Sequence, residues 1–333
     1  VRYRELGNTG IRVSEVGFGV WTVATTWWGI TDEAAGLRLL QEAFDAGITL
    51  FDTADTYGNG AGETILARAL PGKRHQMVIA TKFGYDFYTY GGQRNGQQEL
   101  PKDYSPAFVR HALEQSLLRL ETDYIDIYQM HNPRLTDMGR DDLFALLDDL
   151  VTAGTIRCYG VALGPAIGWR EEGLAALRER HVPVLHMIYN LLEQDPGKDL
   201  AAAAAETGAG VLVRVPHSSG LLEGKYTAET TFSASDHRSH RKREWLLTGL
   251  QKLERLAFLT ADGQHTMGQA ALKWLLADPV VGSTLPNIYN SEQLAEFAAA
   301  PETPDLTLEE MEQVAELYEH DFYLTMEAVG APV

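Results

Sequence analysis

One cysteine in 333 residues, a shortage of basic groups and the lack of any long apolar run each remove a class of protein from consideration. The lone Cys158 excludes an internal disulfide framework and a cysteine-rich metal site; within Ile156-Arg157-Cys158-Tyr159-Gly160 it reads as a small buried thiol at a strand end. Lysine and arginine number 28 against 46 acidic residues, for a formal charge of -18. A surface that acidic repels nucleic acid and anionic membranes, so neither is expected as a partner, although a local pocket can still be positive. No run approaches about 18 apolar residues, and no basic, apolar leader opens the chain, so the expectation is a soluble, cytoplasmic protein. Several motifs are missing as well. There is no His-Glu-x-x-His, and Pro216-His217-Ser218-Ser219-Gly220 lacks the Gly-x-Ser-x-Gly frame of a serine nucleophile elbow. Asp236-His237 with His240 is the nearest approach to a ligand set, but it lies in a polar, basic loop, so no metal is expected. No phosphate-binding glycine fingerprint follows the first strand, which argues against a Rossmann arrangement.

What the chain does have is a regular alternation of short apolar runs and amphipathic segments. Strands are expected at 16–20, 48–52, 77–81, 124–130, 156–161, 183–188, 210–214 and 280–283. Helices are expected at 31–46, 62–70, 106–120, 141–153, 170–180, 197–207, 241–258, 266–277 and 291–299, with Thr31 capping the first. Eight strand and helix pairs without a compositional break predict an α/β fold, a single (β/α)₈ TIM barrel spanning residues 1–333, in preference to two domains. A hairpin over 2–15, turning at Gly7-Asn8-Thr9-Gly10, precedes the barrel; a helix from Thr307 to Tyr318 opens a C-terminal segment, 307–333. Three connections are long: 83–105 with Tyr85, Phe87, Tyr88, Tyr90, Gly91 and Gly92; 215–240 with His217, His237, Arg238 and His240, and Arg241 just beyond; and the tail with Phe322, Tyr323 and Met326. Together with Trp21, Trp27 and Trp28 they are expected at the C-terminal rim, where such barrels select substrates. There Trp21, Trp27, Trp28, Phe87, Tyr88 and Tyr90 offer a platform for a ring or carbon face, and the His/Arg group a basic lip for a carboxylate or phosphate; ordinary loop packing and a solvated loop are the competing explanations.

Three predicted strands deliver chemically able residues to one rim. Asp52 closes Ile48-Thr49-Leu50-Phe51 and is followed by the tight loop carrying Tyr57; Lys82 closes Val78-Ile79-Ala80-Thr81; His131 closes Tyr124 through Met130. Taken singly, each has an ordinary role as turn cap, packing residue or solvated strand end. Asp55, the competitor for Asp52, lies within the loop and is assigned to loop structure or surface.

The set Asp52, Tyr57, Lys82 and His131 resembles the catalytic tetrad of the aldo-keto reductase superfamily. Supporting matches run through almost the whole chain: Tyr3-Arg4-Glu5-Leu6-Gly7, Gly17-Phe18-Gly19, Tyr57-Gly58 to Glu63, Gly160-Val161, Tyr189-Asn190-Leu191-Leu192, Gly220-Leu221-Leu222 to Gly224-Lys225, and Ser283 to Pro286 before Glu292-Gln293. The resemblance implies that the hairpin plugs the N-terminal end of the barrel. It also implies an NAD(P)H-dependent oxidoreductase that interconverts an aldehyde or ketone and its alcohol, acting as a monomer or small homo-oligomer. In that chemistry Tyr57 is the proton donor, an adjacent Lys82 ammonium favours its phenolate, Asp52 keeps Lys82 charged and aimed, and His131 orients the carbonyl oxygen. Two alternatives stay open: a non-redox lyase or isomerase acting on a sugar-like hydroxy-carbonyl, and a cofactor-sensing regulatory subunit like the potassium-channel β subunits of the superfamily.

The resemblance extends to an NADP or NAD site, with departures. The family's Ser-Asn carboxamide pair is replaced by Ala162-Leu163 and its Gln by His186; Arg214 takes the position that stacks on the nicotinamide ring. Gly220, Leu221, Gly224 and Lys225 match the loop over the pyrophosphate, while Ser283, Thr284, Gln293 and the helix starting near Ser291 match the far end. Tyr289 and Phe297 stand where NADP-selective members carry a basic residue and an asparagine, and no Lys or Arg occurs from Val281 through Phe297, so selectivity for NADP is not expected.

Overall fold

Antiparallel strands β1 (Tyr3–Glu5) and β2 (Arg12–Ser14) form the expected hairpin. Eight further strands follow, namely β3 (Phe18–Gly19), β4 (Leu50–Asp52), β5 (Val78–Phe83), β6 (Ile125–His131), β7 (Ile156–Ala162), β8 (Val184–Ile188), β9 (Gly210–Arg214) and β10 (Val281–Leu285). The structure, a computed structural model, describes residues 1–25, 29–91, 99–164, 169–234 and 236–324. Trp27, Trp28, Gly92 and Met326 therefore lie outside the described residues.

The strands pair in parallel and in chain order, and the ring closes where Val16 bridges Thr284, with Thr284 N donating to Glu15 O at 2.9 Å and Gly17 N to Thr284 O at 2.9 Å. This is the (β/α)₈ barrel that the alternation predicts.

Side-chain parity along the strands explains how the barrel is filled. Successive side chains of a strand point to opposite faces, so residues two apart share the interior. One interior layer is apolar, collecting Leu50, Ala80, Ile127, Cys158, Val184, Leu212 and Leu285 from seven strands; Leu6, Ile11 and Val13 of the hairpin segment seal it from below. The opposite parity, including Phe51, Ile79, Phe83, Tyr128, Met130 and Val161, packs outward against the helices in the larger core. Cys158 is buried in the inner layer, and burial pushes its thiol up to about 12, so it is inert packing.

The helices begin close to where capping residues predict, with one shift. Asp32, and not Thr31, caps helix Glu33–Asp45, its Oδ1 accepting from Ala34 N at 2.9 Å. Helix Leu308–Glu319 starts on a capping box between Thr307 and Glu310. In the tail, Phe322 is fully buried, whereas Tyr323 folds back on its own helix, donating to Glu316 at 2.8 Å. Among the described residues, no helix is long and apolar enough to cross a membrane, and no group of three or more His, Cys, Asp or Glu side chains would hold a metal ion.

Candidate active site

Six strands, β4, β5, β6, β8, β9 and β10, and the Tyr57 loop build the mouth of the barrel. Lys82, at the end of β5, is buried and donates from Nζ to Asp52 Oδ2 (2.7 Å), to the Thr53 carbonyl (2.7 Å) and to the Tyr57 hydroxyl (3.2 Å). Burial pushes the lysine toward its neutral form, but attraction to Asp52 and then Tyr57 more than offsets this, so its pKa is raised. Asp52 is also raised, because burial outweighs the favourable contacts with Lys82 and Gln129. Lys82, with two oxygen acceptors at 2.7 Å, is held as the ammonium and pairs with the Asp52 carboxylate as an ion pair. The Tyr57 loop is held against the residue 20–25 turn by Gly58, whose φ is +58° and where a Cβ would stand 2.1 Å from the Ala24 carbonyl oxygen. Edge-on contacts place the Tyr57 ring 5.1 Å from Trp21 and 5.9 Å from His131. Thus Asp52, Tyr57, Lys82 and His131 share one site, with Lys82 and His131 flanking the same phenol.

The cofactor candidates divide into two groups. Around the mouth, His186 Nε2, Arg214 Nε and Ser283 Oγ are buried polar atoms without a hydrogen-bond partner among the described residues. Such orphans are rare in interiors and fit a polar planar ligand such as a nicotinamide carboxamide. Arg214 is not free to swing, since its Nη2 donates to the carbonyls of Leu163 and Gly164 at 3.0 and 2.5 Å. The second group has its polar atoms engaged internally. Thr284 Oγ1 donates to Glu15 O at 3.3 Å; Gln293 accepts from Tyr289 N at 3.0 Å and donates to Glu223 at 2.8 Å; Lys225 lies 3.8 Å from Glu296. Leu221 is buried, and Gly220 and Gly224 supply positive φ (+97° and +69°) around that turn. The start of helix Ser291–Ala299 is capped by Asn290, which accepts from Gln293 N at 2.8 Å.

Several expectations about the loops need correction. The basic group does not form a lip. His217 is buried against Phe297 at 4.5 Å between ring centroids, and Arg241 donates to Ser219 at 3.1 Å. Arg238 is clamped by Asp236 through two contacts of 2.9 and 2.6 Å and donates to Tyr226 at 2.5 Å. Phe87 and Tyr88 do not line the rim either: they stack on each other at 4.1 Å, and Tyr88 accepts from Arg119 at 3.0 Å. Asp55 is fully buried within its loop, which leaves the loop-structure side of its assignment, and burial with the nearby Glu63 charge holds its carboxyl well above the usual range.

Sequence analysis assigned no role at the site to three contributors. Gln129 on β6 donates to Asp52 Oδ1 at 3.2 Å, and its only advance signal is an amide that follows Ile125 and Ile127 at the same parity. Glu63 anchors the Tyr57 loop by accepting from Thr81 at 2.6 Å and Arg119 at 2.7 Å. Tyr85 sets its ring edge-on to His131 at 4.8 Å, donates to Glu99 at 2.6 Å and accepts from Asn132 at 2.7 Å.

Comparison with known proteins identifies the architecture. The Aldo/keto reductase family model matches residues 15–319. The chain is 34% identical over 291 residues to aldo-keto reductase YhdN of Bacillus subtilis, covering 84% of this chain and 82% of that protein. It is 32% identical over 305 residues to the NADH-specific methylglyoxal reductase of Escherichia coli, covering 89% and 92%. The glycerol dehydrogenase of Gluconobacter oxydans superposes with a TM-score of 0.81 at 27% identity, covering 99% of each chain. Similarity to reductases and a dehydrogenase does not favour the lyase or regulatory readings, and makes this chain an NAD(P)-dependent oxidoreductase acting on a carbonyl or its alcohol. With a parallel barrel closed by its own strand order and a family match across most of its length, the chain belongs to the aldo/keto reductase family.

Proposed function

We propose that the chain reduces a small aldehyde or ketone, or oxidises the corresponding alcohol, with Tyr57 as the proton-transferring group and with NAD(H) preferred over NADP(H). The observation that carries the reading is the contact of Lys82 Nζ with the Tyr57 hydroxyl at 3.2 Å, backed by Asp52 at 2.7 Å. When bound, the nicotinamide supplies or accepts the hydride. The chain's own residues manage the proton. The Tyr57 hydroxyl gives its hydrogen to the carbonyl oxygen, and the adjacent ammonium stabilises the negative charge then left on the phenol oxygen. Asp52 and the Thr53 carbonyl keep that ammonium in place. His131, flanking the same ring, orients the substrate oxygen. His186, Arg214 and Ser283 would hold the nicotinamide end, with the 220–225 turn and the Thr284 and Gln293 region nearer the adenosine.

The preference for NAD rests on charge at that far end. Arg238 is the cation whose field reaches Tyr289, but Asp236 already satisfies its guanidinium fork, and Glu223 and Glu296 add negative charge nearby. A 2'-phosphate would have to displace Asp236 from Arg238 while meeting those carboxylates. The NADH-specific relative is in keeping with this reading. The single buried thiol supports residence in a reducing compartment such as the cytoplasm.

Titrating the protein with NADH and NADPH by fluorescence, with initial rates on a panel of small aldehydes, tests both parts. Turnover with a lower Kd for NADH is expected, and Asp236→Asn narrows the gap. Tight nucleotide binding without turnover of any carbonyl or alcohol would instead indicate a sensor.

A further inference from the structure

A chain of buried contacts continues beyond Asp52, away from Tyr57. Asp52 gives Oδ2 to Lys82, and its Oδ1 accepts from Gln129 Nε2 at 3.2 Å; Gln129 Oε1 in turn lies 3.2 Å from His186 Nδ1. Gln129 and His186 are 0% and 1% exposed, so bulk water does not reach these contacts. The direction of every bond in this chain is forced. An ionised carboxylate only accepts, so Gln129 turns its amino group to Asp52 and its carbonyl to His186. That carbonyl only accepts, so His186 Nδ1 carries a hydrogen. The same nitrogen lies 3.7 Å from Asp52 Oδ1, whose negative charge also favours a hydrogen on that side of the ring. Burial, then the positive charges of Lys82 and Arg214, hold the imidazole well below its ordinary pKa and keep the ring neutral. Nε2 is therefore a bare acceptor, and it is one of the buried orphans at the mouth.

We propose that Gln129 is a positioning residue through which the Asp52 carboxylate fixes His186 as its Nδ1–H tautomer, so that Nε2 accepts a hydrogen bond from the primary amide of the nicotinamide ring. Only the identity of the donor rests on the nicotinamide reading above; the tautomer does not. A glutamine side chain in place of His186 would offer both a donor and an acceptor, whereas the neutral histidine fixed in this way offers an acceptor alone. The Asp52 carboxylate thereby serves two ends: one oxygen aims the lysine beside the proton donor, and the other determines what the nicotinamide pocket recognises.

Two measurements test this. Long-range ¹H–¹⁵N correlation spectra of ¹⁵N-histidine-labelled protein without nucleotide, with His186 assigned by its loss in His186→Gln, should show hydrogen on Nδ1 across pH 6 to 8. Binding of NADH is then compared with that of its reduced 3-acetylpyridine analogue, whose methyl ketone lacks the N–H donor. In the wild type the analogue should bind about tenfold more weakly, the difference expected when a buried acceptor loses its donor. That penalty should largely vanish in His186→Leu, shrink in Gln129→Leu and persist in Tyr57→Phe, which leaves the relay intact; unchanged melting profiles confirm that the variants are folded. Gln129→Met replaces Gln129→Leu should the latter fail to fold. Hydrogen on Nε2 in the wild type, or an undiminished analogue penalty in a folded Gln129 variant, overturns the proposal. If neither dinucleotide binds the wild type, the nicotinamide reading fails, and the tautomer spectra of wild type and Gln129 variant alone decide the coupling.

Discussion

Two residues of strand separate the floor of this barrel from its mouth, and the two regions obey opposite chemistry. On five strands the inward residue changes from apolar to polar over one repeat of the pleat: Leu50 to Asp52, Ala80 to Lys82, Ile127 to Gln129, Val184 to His186 and Leu212 to Arg214. The floor is packed without a strong polar group and sealed by the hairpin. The mouth holds an ion pair, an amide and an imidazole in contact, with the Arg214 guanidinium beside them and orphaned atoms left over. A sheet that is rigid because its floor is close-packed can hold costly polar groups a few ångströms higher, where they need not contribute to stability. Substitutions in the two layers should therefore separate folding from chemistry.

The largest effect is expected at Tyr57. Tyr57→Phe should lower kcat by about 10³-fold, within the range for loss of a general acid, while the melting temperature and nucleotide Kd stay near wild type. Unchanged turnover would remove Tyr57 from the mechanism. Lys82→Met tests the mouth for both properties at once, because it strands Asp52 in a buried site. It should abolish turnover and destabilise the fold by about 3–5 kcal/mol in urea denaturation, the typical result of breaking a buried pair. A full loss of activity with no loss of stability would show that Asp52 finds another partner. The floor gives the contrasting case. Ile127→Ala should cost about 2–5 kcal/mol through the cavity it leaves, yet kcat measured below the melting range should change little. A collapse of kcat there would mean that the floor transmits strain to Asp52 and Lys82.

The smallest expected effect concerns acid. Burial holds His217 down to about 4 and His186 well below its usual range, whereas the floor has no histidine. Between about pH 6.5 and 4 the unfolded chain takes up protons that folded His217 refuses, so stability falls as pH falls, by up to about 1.4 kcal/mol per pH unit from this residue. His217→Gln, which keeps a donor for the Gly268 carbonyl now 3.0 Å from His217 Nε2, should flatten that slope in denaturation curves taken at pH 4.5 and 7. An unaltered slope would assign the acid sensitivity to other groups.

How legible the molecule was varied by region, for a physical reason. The strand ends at Asp52, Lys82 and His131 could be read because each closes a predicted strand, and a parallel barrel carries every such end to one rim. The roles of Gln129 and Asp55 were not legible. Whether a strand residue faces the barrel axis or the helices depends on register around the closed ring, and Asp55 is buried by a loop folded over Glu63 and Arg119. The rim loops were the least legible. Arg238 is 51 positions from Tyr289 in the chain, and only the path of the 215–240 connection brings them together and adds Asp236 as a clamp. Phe87 and Tyr88 turn away from the mouth because Arg119, on a helix packed outside the barrel, gives the phenol of Tyr88 a charged donor.

By itself, the order of residues determined the eightfold alternation, the hairpin and the positions at which strands end in reactive side chains, since these depend on local periodicity and capping. Only the closed barrel decided which of those side chains touch. It set Lys82 between Asp52 and Tyr57, linked Asp52 to His186 through Gln129 and clamped the cation beside Tyr289, because distances across a ring are fixed by how the strands close and not by their spacing along the chain.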